Sequence, residues 1–274
     1  MNAFRRSGFF DMPPVVKNII IINVLFFLAT YALKGMGVDL NQILGLYYVQ
    51  SEYFRPYQFI THMFMHGSIA HIFFNMYALW MFGKILESSW GSKRFLIYYF
   101  VTGLGAAALN TFVSWINISS IQDAAVAFSN TPSPDSLAVF VREYFPQYYD
   151  QIYDKLLSVW YSNPSNPDFI QQANVFVNQL ITYKMNIPTI GASGAVFGVL
   201  LAFGMMFPNS QLMLLIPPIP IKAKYFVIGY GLIELYTGVI NQPGDNIAHF
   251  AHLGGMLFGF ILLKYWGVKK SSFY

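Results

Sequence analysis

Apolar positions along the chain gather into six runs, at about residues 19–33, 69–86, 95–115, 191–207, 223–240 and 247–266. Runs of this kind approach the roughly 20 residues that a helix needs to cross a bilayer. They predict an all-α fold, a polytopic bundle of six transmembrane helices. The first run follows Arg5, Arg6 and Lys17 and lacks a small-residue cleavage site, so it is read as an uncleaved helix. Between the fourth and fifth runs, residues 208–222 carry Pro217, Pro218 and Pro220, which forbid a continuous helix. The stretch 116–188 is wetter and is punctuated by Pro132, Pro134, Pro164 and Pro167. Within it, 136–160 and 168–183 read as helices with one apolar face. They are rich in Tyr and Trp, residues that favour the membrane–water boundary, so this insertion is expected to lie along the outer surface. The predicted organisation is a tail (1–16), three helices with a first outer loop (17–115), the insertion (116–188), three more helices (189–267) and a second tail (268–274).

Composition narrows the class. Of 274 residues, 55% are hydrophobic and only 10% charged, with no cysteine. Soluble domains carry roughly 25% charged residues, so an ordinary soluble enzyme is excluded, as are disulfide frameworks, thiolate metal sites and cysteine nucleophiles. Six spans put both tails on one side. That side receives eleven Lys/Arg: Arg5, Arg6, Lys17, Lys84, Lys93, Arg94, Lys222, Lys224, Lys264, Lys269 and Lys270. The other side receives five: Lys34, Arg55, Arg142, Lys155 and Lys184. Basic loops mark the cytoplasmic face, so both termini are expected in the cytoplasm, with the protein in the inner (cell) membrane if its source is bacterial. The bases are dispersed over short loops with no single stripe, which argues against nucleic acid. The lipid bilayer is the partner this composition requires.

Polar groups inside apolar spans are functional suspects. The fourth run opens with Gly191-Ala192-Ser193-Gly194-Ala195-Val196-Phe197-Gly198. A lone serine in such a helix ordinarily packs or bonds back to a carbonyl, but flanking glycines leave this hydroxyl uncrowded. Gly194 and Gly198 share a face at the i, i+4 spacing that admits a close neighbouring helix. In the sixth run, Gly255 and Gly259 make a second such face, with His252 one turn ahead. Both runs enter from the outer side, so Ser193 and His252 stand at comparable depth. If the two glycine faces pack together, serine and histidine form the minimal nucleophile–base pair of acyl transfer. In the second run His71 and Asn75 share a face at i, i+4, and a His ring and an Asn amide are suitable donors to a developing oxyanion. His62 and His66 precede that run, where bonding to backbone and water is their ordinary role.

These motifs resemble the rhomboid family of intramembrane serine proteases. The resemblance rests on G-x-S-G (Gly191 to Gly194), H-x-x-x-N (His71 to Asn75) and A-H-x-x-G-x-x-x-G (Ala251 and His252 through Gly255 and Gly259). Arg55, His62, His66 and Glu87 extend it over about 200 residues. It implies a catalytic dyad in which Ser193 attacks the scissile carbonyl and His252 relays the proton. It also implies an oxyanion site formed by the Ser193 N–H, Asn75 and His71, and an aromatic, here Phe197, stacked on His252. Two departures stand out: Phe54 occupies the position often held by tryptophan, and the insertion before Ser193 is unusually long.

A dyad without an acid is physically reasonable, because a neutral imidazole needs no buried carboxylate. Asp245 is expected to cap or flank the sixth helix. Glu234, inside the fifth run, has no evident role beyond a helix-packing hydrogen bond. No cofactor and no metal are expected: there is no H-E-x-x-H, and zinc would need a coordinating cluster with supporting acids. The implied substrates are single-span membrane proteins with small or helix-breaking residues near the outer end of the span, since helical carbonyls are already hydrogen-bonded. Two alternatives remain: a proteolytically inactive rhomboid-like protein that binds transmembrane helices, and a metal-dependent membrane enzyme or transporter using the five histidines. The sequence leaves the oligomeric state open.

Overall fold

A computed structural model describes residues 12–213, 218–240 and 248–268. Arg5, Arg6, Pro217, Asp245, Lys269 and Lys270 lie outside the described residues. The protein is mostly helical. The helices are α1 Pro14–Lys34, α2 Leu40–Leu44, α3 Gln58–Thr61, α4 Ile69–Trp90, α5 Ser92–Asn130, α6 Pro134–Tyr144, α7 Tyr149–Ile152, α8 Ser158–Ser162, α9 Pro167–Met185, α10 Ser193–Met206, α11 Ala223–Ile240 and α12 His249–Tyr265. The proline-rich connection after α10 forms a short antiparallel hairpin pairing Gln211–Met213 with Pro220–Lys222.

Among the described residues, three helices are long and apolar enough to cross a membrane: α1, α4 and α5. α10 is a shorter apolar helix of 14 residues, about 21 Å at ~1.5 Å per residue. It is wrapped by its neighbours, with Gly194–Leu200 buried throughout. The outward faces are apolar instead of charged: Leu25, Leu28, Phe74, Leu232, Ile233, Val239 and Ile261 are all well exposed, as expected of side chains that face lipid. Some polar groups inside the helices bond back to their own backbone. Asn23 Nδ2 donates to Ile19 O at 2.8 Å and the Thr30 hydroxyl to Phe26 O at 2.8 Å, as backbone and side-chain groups must where water is absent.

Glu87 ties the start of α1 to the α4–α5 junction. Its carboxylate accepts from Val15 N (3.0 Å), Val16 N (2.8 Å) and the Ser92 hydroxyl (2.7 Å). It thereby caps the free amides of the first turn of α1, where the helix dipole favours an anion, and fixes the α4–α5 junction. Between Leu79 and Gly83, α4 widens into a π turn.

The insertion departs from expectation. The third helix does not end at Trp115 but runs unbroken to Asn130, 39 residues in all. At ~1.5 Å per residue this is about 58 Å, nearly twice the ~30 Å hydrocarbon core, so its last turns project beyond the bundle. They keep a buried stripe of Ile118, Ile121, Ala125 and Phe128, and the rest of the insertion folds against it. Leu137, Phe140, Val141, Phe145, Leu157, Trp160, Ala173 and Val177 complete a second hydrophobic core. The amphipathic faces thus cover one another. The helix expected over 136–160 is also broken: α6 stops at Tyr144, before Pro146.

Candidate active site

Ser193 opens α10, and His252 lies one turn into α12. The two helices approach because Gly255 leaves room: a methyl group there would overlap the Gly194 carbonyl. The remaining glycines do not meet as two facing stripes. Gly198 faces Thr102 of α5, and Gly259 faces Tyr98 and Thr102 of the same helix. α5 is therefore the shared third partner, and the Tyr98 hydroxyl donates to Gly198 O at 2.8 Å. Gly194 lies against both Ala106 of α5 and Ala251 of α12, so all three helices converge directly beneath the serine.

This convergence brings His252 Nε2 to 2.8 Å from Ser193 Oγ. The Phe197 ring, one turn beyond the serine, stacks on the imidazole with centroids 4.1 Å apart and planes 5° from parallel. Tyr230 of α11 packs on Phe197 in turn, at 4.9 Å. Both His252 and Phe197 are buried, so the imidazole plane has little freedom.

His71 and Asn75 come from the start of α4. Ser68 caps that helix, its hydroxyl accepting from His71 N at 3.1 Å. The His71 ring lies beside Gly191: a Cβ at Gly191 would meet His71 Nε2 at 2.8 Å and Ser193 Oγ at 3.7 Å. Gly191 also has φ +129°, a conformation that favours glycine. Asn75 is buried, and its Nδ2 donates to His71 O at 3.0 Å. His62 reaches the same loop through backbone: Gly191 N donates to His62 O at 2.9 Å, while His62 Nδ1 lies 2.8 Å from Gln58 O. Burial lowers the His62 imidazole to about 4 and the His66 imidazole to about 3. Arg55, exposed, braces the loop between α2 and α3 by donating to Glu52 O and Phe54 O.

Sequence reasoning gave Glu234 no chemical part, yet its buried carboxylate faces two histidines. Oε2 is 2.6 Å from His249 Nδ1 and 2.9 Å from His252 Nδ1. The His252 contact is short but off the line of an ideal hydrogen bond. The three ligand atoms lie within 4.8 Å of one another, the kind of histidine–acid grouping that could hold a metal. Two ligands on a tetrahedral zinc at ~2.0–2.1 Å sit about 3.3 Å apart. The 2.6 and 2.9 Å separations are instead those of atoms sharing protons. Glu234 was detectable as the one acid within an apolar run; its direction toward His252 was not.

The Rhomboid domain family matches residues 53–120 and 157–268. This chain belongs to the rhomboid family. The unmatched gap, 121–156, falls within the insertion's separate core. The rhomboid chain is 26% identical over 226 residues to an uncharacterised mitochondrial rhomboid protein of Schizosaccharomyces pombe, covering 80% of this chain and 53% of that protein. It is 24% identical over 208 residues to Rhomboid protein 1, mitochondrial, of Saccharomyces cerevisiae, covering 76% and 40%. With Rhomboid protease GluP of Bacillus subtilis it shares 35% identity over 75 residues, 27% of this chain and 13% of that one. The chain spans about half or less of the length of these relatives. It is a rhomboid membrane protein.

Proposed function

We infer that this rhomboid is an intramembrane serine endopeptidase that hydrolyses a peptide bond in or near the transmembrane helix of single-span membrane proteins. The observation that carries the reading is the 2.8 Å approach of His252 Nε2 to Ser193 Oγ, within reach for general-base catalysis. In this reading α1, α4, α5, α10, α11 and α12 form the six spans and both termini are cytoplasmic, as the eleven-to-five distribution of bases argues.

The reaction follows from the chemistry of the pair. Ser193 Oγ attacks the scissile carbonyl carbon as His252 Nε2 takes the hydroxyl proton, and the carbonyl π electrons move onto oxygen. That oxyanion is held by the Ser193 N–H and by the side chains of His71 and Asn75, once Asn75 turns from the His71 carbonyl. The imidazolium then protonates the leaving amine as the C–N bond breaks, which leaves an acyl ester on Ser193. Water attacks the ester, His252 accepts its proton, and the serine is restored. The substrate helix must open locally first, so small or helix-breaking residues near the cut are favoured.

The test is cleavage of a single-span reporter by purified protein in liposomes, together with fluorophosphonate labelling of the serine. Labelling and cleavage that both vanish in Ser193→Ala support the reading. A wild type that neither cleaves nor labels supports an inactive, helix-binding rhomboid-like protein instead.

A further inference from the structure

We propose that Glu234 is a positioning residue for the proposed reaction, making the site a Ser193–His252–Glu234 relay with a carboxylate supplied from inside a membrane helix. The proposal rests on the protease reading above and deepens it.

Three observations converge. Glu234 is 4% exposed, and burying a carboxylate in an apolar helix is costly unless it is partnered. Its partners are both histidine Nδ1 atoms, at 2.6 and 2.9 Å from one oxygen. One of those histidines has its other ring nitrogen at the serine hydroxyl. A carboxylate oxygen 2.9 Å from His252 Nδ1 favours the proton on that nitrogen, which leaves Nε2 as an acceptor, so the Ser193 hydroxyl donates to it. That is the tautomer a general base requires. When Nε2 takes the serine proton, the resulting imidazolium lies 2.9 Å from the carboxylate oxygen, in a region with few other charges to screen it. The off-line geometry matters less for that charge–charge contact, and such contacts commonly tighten only when substrate is bound.

The carboxylate is itself held. His249 Nδ1 lies 2.6 Å from Oε2 and 3.1 Å from Thr237 Oγ1. The Thr237 hydroxyl donates to Ile233 O at 2.8 Å, which leaves its oxygen to accept from His249. Glu234, Thr237 and His249 thus form a bracket between α11 and α12, aimed at the back of His252. The titratable groups facing His252 are Glu234 from α11, His249 on its own helix and His71 from α4.

The test compares wild type, Glu234→Gln, Glu234→Asp and Ser193→Ala, full-length in liposomes, by reporter cleavage. Glu234→Gln keeps the shape but loses the charge. It is expected to lower kcat ten- to a thousandfold with KM within threefold. Glu234→Asp retains the charge and is expected to recover part of kcat. A Glu234→Gln protein with wild-type kcat overturns the proposal. If Glu234→Gln does not fold, Glu234→Asp decides: kcat unchanged from wild type overturns the proposal, and a fall at constant KM supports it. The two readings fail separately. Cleavage surviving in Ser193→Ala removes the protease reading, whereas a dead Ser193→Ala beside a fully active Glu234→Gln removes only the relay.

Discussion

Gly255 lies so close to Gly194 that one added carbon on the former would overlap the carbonyl oxygen of the latter. Because the obstacle is backbone, it cannot rotate away. Gly255→Ala is therefore expected to push α12 off α10, separate His252 from Ser193 and cost about 1–3 kcal/mol, the range for overpacking. Thermal unfolding in detergent and the fluorophosphonate labelling rate should both fall.

Phe197 holds the imidazole by stacking, and Tyr230 supports it from α11. Phe197→Ala leaves a cavity beside His252, at a cost of about 3–5 kcal/mol for a buried ring. Labelling per folded molecule is expected to drop at least tenfold. Phe197→Leu fills more of the space and should restore stability further than it restores rate, because it lacks the flat face.

Glu87 serves the fold without touching the chemistry. Glu87→Ala strands the amides of Val15 and Val16, with an expected cost of about 1–3 kcal/mol. The unfolding temperature should fall while labelling of the remaining folded protein stays near wild type. An equal loss of both would mean that the Glu87 end of the bundle communicates with Ser193.

Acid should loosen the segment before α4. The folded His62 imidazole titrates at about 4, below its usual value of about 6.5. Between those values the unfolded loop binds more protons than the folded one, so stability is full above about 6.5 and is lost as pH falls toward 4. Amide protection at residues 58–66, corrected for the intrinsic slowing of exchange in acid, is expected to fall between pH 7 and 4.5 in wild type, and to change less in His62→Gln.

The helical, membrane character was legible because lipid-facing helices leave little choice of residue, and the approach of Ser193 to His252 was legible because both stand at the starts of their helices. The far end of α5 is harder to see in the sequence: Asn117, Ser119, Ser120, Gln122 and Asp123 make the stretch polar on average. Ile118, Ile121, Ala125 and Phe128 nevertheless keep a helical stripe there, a signal that average polarity hides. Of the two glycine faces only Gly194 and Gly255 meet each other; Gly198 and Gly259 meet Tyr98 and Thr102 of α5, which with Ala106 follow an i, i+4 spacing of their own. Glu234 precedes His249 by 15 residues and His252 by 18, on another helix across a loop, and nothing in local spacing fixes the rotation of one helix against the next.

The insertion should be separable from the site. Trp160 is fully buried in the second core, and Trp160→Ala is expected to cost about 3–5 kcal/mol there. Limited proteolysis within 131–166 should accelerate, while fluorophosphonate labelling of Ser193 persists.

The most direct measurement is cleavage of a Gly/Ala-containing single-span reporter in liposomes by wild type, Ser193→Ala and His252→Ala. The proposed activity requires one cut near the outer end of the reporter helix by wild type and none by either variant. Wild-type cleavage by either variant would contradict the Ser193–His252 pairing.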